Sequence, residues 1–219
     1  MNTRPQPRVT ARGVALGATT AALLVLTACS GGPRTADVLG DGADFTTPAW
    51  AKPITTPGSK LTTIELGDIS IDVFQADTAK APNAGRYFGP VTKDFDIRAG
   101  DQVVFFNFVV TNHGAPVDMD YSLIRVQGLY DDATSILSDF IEDPDFCADH
   151  HVNFGGVDGP FQDTKPYTLG TGETYSEGWN IKYQPKKEIT FKATYYPVNS
   201  AGEIRVLESV EATASAITL

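Results

Sequence analysis

The sequence predicts an all-β domain, an antiparallel sandwich, and three observations predict it. Apolar residues recur at period two in several short runs. Those runs are separated by Gly, Pro and Asn turns, and no helix of crossover length stands between them. The first run sets Ile69, Ile71 and Val73 against Asp68, Ser70 and Asp72, the pattern of a half-buried strand. Residues 101–111 (DQVVFFNFVVT) are apolar in both phases, which predicts a central strand covered on each face. After the Asn112-His113-Gly114 turn, residues 119–126 read as another strand. Trp179, Ile181 and Tyr183 alternate with Asn180, Lys182 and Gln184, and Ile189, Phe191, Ala193 and Tyr195 alternate with Thr190, Lys192 and Thr194. Ile204 and Val206 open a last strand. Residues 131–142 (DDATSILSDFIE) break the pattern. Ala133, Ile136, Leu137, Phe140 and Ile141 follow the helical i, i+3, i+4 spacing, with Asp131 or Asp132 as N-cap and Pro144 as the stop. One short inserted helix is expected there, lying across an open end of the sandwich.

The N-terminal residues concern address rather than fold. Arg4, Arg8 and Arg12 form a basic region without acids, followed by an uncharged 14-residue run, GVALGATTAALLVL. A membrane span needs roughly 20 residues, so the run reads as a signal peptide. It ends on Leu26-Thr27-Ala28-Cys29, which resembles the bacterial lipobox. That resemblance implies diacylglyceryl attachment to the Cys29 thiol, cleavage before it, and a protein held to the cell membrane on its extracytoplasmic face. The expected organisation is therefore a signal at 1–28, a lipidated flexible tether at 29–59, rich in Gly, Pro, Thr and Ala, and one domain at 60–219. Trp50, within the tether, either docks on the domain or stands exposed.

Charge and cysteine content restrict function. The chain has 17 Lys and Arg against 27 Asp and Glu; removing the leader takes away three arginines and leaves 14 against 27, a net charge of −13. Such a surface disfavours nucleic acid and anionic headgroups. With Cys29 acylated, Cys147 has no partner within the chain, so the domain must fold on its core alone. About 160 residues suffice for that.

The run Ala99-Gly100-Asp101 followed by the long apolar strand and Asn112-His113-Gly114 is similar to bacterial lipoprotein domains of unknown function related to a small secreted mycobacterial antigen. Gly172-Glu173, then Gly178-Trp179-Asn180-Ile181-Lys182-Tyr183 and Pro185, match that pattern's later turn and aromatic strand. The resemblance implies an immunoglobulin-like fold and a cell-envelope interaction role; it supplies no catalytic residues.

The most distinctive cluster is Asp143-Pro144-Asp145-Phe146-Cys147-Ala148-Asp149-His150-His151. A thiolate and imidazoles at this spacing suit zinc or copper, and His113 could join them. Alternatively, Cys147 is a small buried hydrophobe and His150 and His151 are exposed polar residues. The neighbouring acids lack the register of a calcium loop, and Asp118 and Asp120 read as solvent-facing. No G-x-S-x-G, H-E-x-x-H or Walker loop occurs. The expectation is thus a non-catalytic, lipid-anchored binding module without a cofactor, the alternative being copper or zinc binding through Cys147, His150, His151 and His113.

Overall fold

A computed structural model describes residues 45–55, 58–85, 97–131, 140–160, 166–199 and 203–219. Two antiparallel sheets dominate it. The first contains β1 (Ser59–Leu66), β2 (Ile69–Lys80), β3 (Gln102–Asn112) and β7 (Thr174–Lys182), side by side in that order. In the second, β8 (Glu188–Tyr195) is flanked on one side by β5 (Ile124–Tyr130). On the other side lie β9 (Val210–Thr213) and β10 (Ile217–Thr218), paired with different parts of β8. A two-stranded ribbon joins β4 (Val117–Met119) to β6 (Tyr167–Leu169). The chain changes sheets three times, between β3 and β5, back between β5 and β7, and again between β7 and β8. The A-B-E and C-F-G sheets of an immunoglobulin-type sandwich connect in the same way.

The sequence of β3 explains why it lies at the centre. Val104, Phe106, Phe108 and Val110 belong to the core between the sheets, where Phe106 meets Phe191 of β8 at 4.9 Å between ring centroids. The opposite phase, Val103 and Phe105, belongs to a second core with Ile141, Cys147 and Val152. Both faces are therefore dry, and each buried aromatic contributes roughly 1.5–3 kcal/mol. The second core is closed by residues 140–154, which carry the helix α1 (Pro144–Asp149). Six residues cannot hold a helix unaided. This one is nucleated by Asp143, whose Oδ1 accepts from the Phe146 N–H at 3.0 Å, and is pinned by the burial of Cys147.

Several expectations are corrected. Pro144 does not stop a helix but starts one, at a position where its missing N–H costs nothing. Of the expected helix at 131–142, residues 132–139 lie outside the described residues. The described helix, at 144–149, covers the outer face of the first sheet, with Phe146 edge-on to Phe105 at 5.1 Å. The strand expected at 119–126 is two strands, β4 and β5, in different sheets. The break falls at Asp120, a buried residue and not a solvent-facing one, which accepts from both the N–H and the hydroxyl of Ser122. Leu123 follows with a left-handed φ of 52°. Ile204 and Val206 open no strand. Ile204 forms an isolated bridge with Val198, Val206–Glu208 is a 3₁₀ turn, and pairing with β8 resumes at Val210.

Part of the expected tether packs as structure. Trp50 sits against Tyr167 and Tyr175 at 5.4 and 5.3 Å, and its Nε1 donates to the Thr168 carbonyl at 2.8 Å. Ala51 is buried. Thr55 is held on both sides, its N–H donating to Ser176 Oγ and its carbonyl accepting from Asn107 Nδ2 at 2.7 Å. A segment without periodicity is ordered here by polar groups that the first sheet turns outward.

Candidate functional site

The four residues considered for metal binding do not converge. The Cys147 thiol is fully buried beneath α1, with Asn180 Nδ2 at 3.6 Å from its sulfur, and burial pushes its pKa up to about 11. His150, the C-cap of the helix, stacks on Phe105 at 4.3 Å and pairs through Nδ1 with Asp77 at 2.7 Å. His151 is exposed, with a left-handed φ of 59° that turns it away from the helix. His113 lies at the far end of β3, its Nε2 at 2.8 Å from Ser70 Oγ. Ser70 and Asp77 are seven residues apart on β2, which at about 3.3 Å per residue separates the two histidine sites by roughly 20 Å. Among the described residues, no group of three His, Cys, Asp or Glu side chains could hold one ion.

The buried thiol is correspondingly expected to be inert. At pH 8, a pKa of about 11 instead of the ordinary 9.0 lowers the thiolate fraction roughly hundredfold, and closure by α1 slows access further. A disulfide reagent should therefore label Cys147 at least a hundred times more slowly in native protein than in urea. Equal rates would show that the helix does not seal it.

A different site lies where the two sheets part. β7 and β5 are edge strands of their respective sheets, and the seam between them opens into a cavity of about 490 Å³. Trp179 and Ile181 line it from β7, Val126 and Gly128 from β5, and Phe140 and Phe154 from the segment that covers the first sheet. Gly128 leaves room that the β8 side chains beside it require, since a Cβ there would lie 2.9 Å from Ile189 Cδ1 and 3.2 Å from Phe191 Cε1. Arg125, Gln127, Tyr121 and Ser122 add polar groups, and Tyr121 is strongly exposed.

Glu177 lies within these walls. It shares the inward phase of β7 with Tyr175, Trp179 and Ile181, so a strand that should present only apolar groups to the core presents an acid. Glu177 is 8% exposed. Burial pushes its carboxyl pKa up to about 8, against smaller opposing effects from the Gly156 N–H that donates to it and from nearby Lys52. Lys52 Nζ itself donates to the Phe154 carbonyl at 2.9 Å. Sequence reasoning passed over Glu177, although one acid in the apolar phase of an otherwise regular strand was a readable signal.

On the outward phase of the same strand, Asn180 anchors the covering segment. Its Oδ1 accepts from the Ile141 N–H at 2.9 Å and its Nδ2 donates to the Ile141 carbonyl at 3.2 Å. Ser176 bonds Asn153 and the Thr55 N–H in the same way. β7 thus organises the cavity on one face and its cover on the other.

The protein is an all-β antiparallel sandwich with an acid-bearing cavity at one seam. No family model matches the chain, and no curated protein matches it. Among solved structures it is similar to a "putative lipoprotein (ycdA)" from Bacillus subtilis, at 16% identity and a TM-score of 0.32. The match covers 71% of this chain and 39% of that one, so the chain spans well under half of the neighbour's length. The resemblance to the mycobacterial antigen family gains no support from these comparisons.

Proposed function

We propose that this chain is a lipid-anchored, extracytoplasmic binding module of the bacterial envelope. It is non-catalytic and takes a small ligand in the seam between β5 and β7. The address rests on the basic region, the short uncharged run and the small residues before Cys29. Two or three acyl chains on that cysteine would anchor the protein stably without a membrane span, and among the described residues no helix is long and apolar enough to cross a membrane. The binding role is carried by one observation, a largely apolar cavity into which a buried carboxyl projects. Pockets of this size and character commonly seat small molecules.

Each half of the proposal has its own test. Mass spectrometry of the membrane-extracted protein should find the N-terminus at Cys29 carrying a diacylglyceryl group, and Cys29→Ala should abolish both lipid and membrane partition. A Cys29→Ala protein that still partitions with membranes would refute the anchor. For the cavity, millimolar benzyl alcohol, phenylacetate and benzyltrimethylammonium are added in turn to labelled protein. At least one should shift the Trp179 indole N–H and the amides of Gly128 and Gly178. Silence at these positions with all three probes would refute the seam as a binding site.

A further inference from the structure

We propose that the ligand of the seam cavity is an organic cation, a quaternary or protonated amine carried on an apolar body. This rests on the reading of the seam as a binding site and adds the charge of what enters it.

Two features of the wall point to a cation. The first is the acid itself. Glu177 occupies a position in phase with Tyr175, Trp179 and Ile181, where an apolar side chain would pack without penalty, and it is more than nine-tenths buried. Among the described residues it enters no ion pair: Lys52 comes nearest in sign and position, but its Nζ donates to the Phe154 carbonyl. An ammonium group in the cavity would supply the opposite charge that a desolvated carboxylate needs. The second feature is aromatic. Trp179, Phe140, Phe154 and Tyr121 line the same cavity, and ring faces attract cations, quaternary ammonium groups in particular. The charge of the chain acts in the same direction, because a net −13 for the sequence after residue 28 draws cations and repels anions. Arg125 is the opposing group. It is an exposed residue of β5, and its guanidinium lies 5.9 Å from the Tyr196 ring centroid.

Entry of the cation displaces a proton. At neutral pH the Glu177 carboxyl holds its proton; when the cation enters, the carboxylate pairs with it and the proton leaves to solvent. The charged or titratable groups around Glu177 are Lys52 from the N-terminal segment, Arg125 from β5, Tyr121 from the turn before it and Tyr175 from its own strand. Burial raises the Tyr175 hydroxyl further above the neutral range. Affinity for a permanently charged cation should therefore rise about tenfold per pH unit between pH 6 and pH 7.5, following Glu177.

The test uses the purified full chain in a maltoside detergent and calorimetric titration with three probes that share one aromatic body. Benzyltrimethylammonium should bind at least tenfold more tightly than benzyl alcohol or phenylacetate, and Glu177→Gln should remove that advantage while leaving benzyl alcohol unaffected. If benzyl alcohol or phenylacetate binds as tightly as the cation, the cation is overturned and the seam survives as a site. If no probe binds, both readings fall. Should Glu177→Gln not fold, the pH series on the unaltered protein decides: a tenfold rise per unit supports the proposal, and a flat profile overturns it.

Discussion

Glu177→Gln is expected to make the protein more stable at pH 8 and to change little at pH 4.5. In the folded state, burial holds the carboxyl at a pKa of about 8, whereas its ordinary value is 4.5. Between these values the folded chain keeps a proton that the unfolded chain has released. Stability contributed by the protonated acid is complete below pH 4.5 and is lost as pH rises toward 8, by at most about 1.4 kcal/mol per unit. Glutamine has nearly the same shape, can still accept from the Gly156 N–H, and does not titrate. Relative to the variant, the natural protein should lose stability on the order of 4 kcal/mol by pH 8. Urea unfolding at pH 4.5 and pH 8 for both proteins measures this directly. Parallel stability profiles would mean that Glu177 ionises freely and is not buried as described. The gain would come with the loss of the cation's partner, so one substitution should move stability and binding in opposite directions, as buried acids at binding sites do.

The second large effect is expected at Gly178. Its position on β7 faces the cover of the first sheet, and its N–H donates to the Asn153 carbonyl at 2.8 Å. A Cβ built there would lie 2.1 Å from the Phe106 carbonyl oxygen and 2.7 Å from Val152 Cγ1. Neither contact can relax cheaply, because the first is backbone in the central β3–β7 ladder and the second belongs to the buried residue that closes the outer core. Gly178→Ala should cost about 3 kcal/mol or more, the upper range for overpacking a filled interior. It should also loosen the covering segment, so that Cys147 labels faster. An alanine variant with an unchanged urea midpoint would show that strand and cover do not meet as closely as described. Glycine is thus required here for close approach rather than for an unusual φ.

How much of this was legible in the residues depends on the range over which each signal acts. The centrality of β3 was readable, since two apolar phases in one strand require two dry faces. The strands around Ile71, Trp179 and Phe191 were readable from alternation, although Asn180 is buried rather than solvent-facing because the cover lies on its side of the sheet. The division of 119–126 was not readable. Met119 and Ile124 are both buried, and only the side-chain bonds of Asp120 show that the chain turns between them. Ile204 and Val206 misled because alternation reports apolarity, and here both residues are exposed. The proposed metal cluster was adjacent in sequence, but adjacency does not aim side chains. One member went into the core, one onto a ring and one into solvent, while His113 was left at the other end of the strand.

By itself the sequence determined the fold class, the export and lipidation signals as an expectation, and the solitary state of Cys147 once Cys29 is acylated. These are local or compositional properties, carried by period, charge and spacing. Tertiary structure alone decided which strands became edges, and hence where the sheets part. It also decided that residues 45–55 pack against the sheet and that Glu177 has apolar walls around it. Those outcomes depend on contacts between residues far apart in the chain, whose free energies no local pattern encodes.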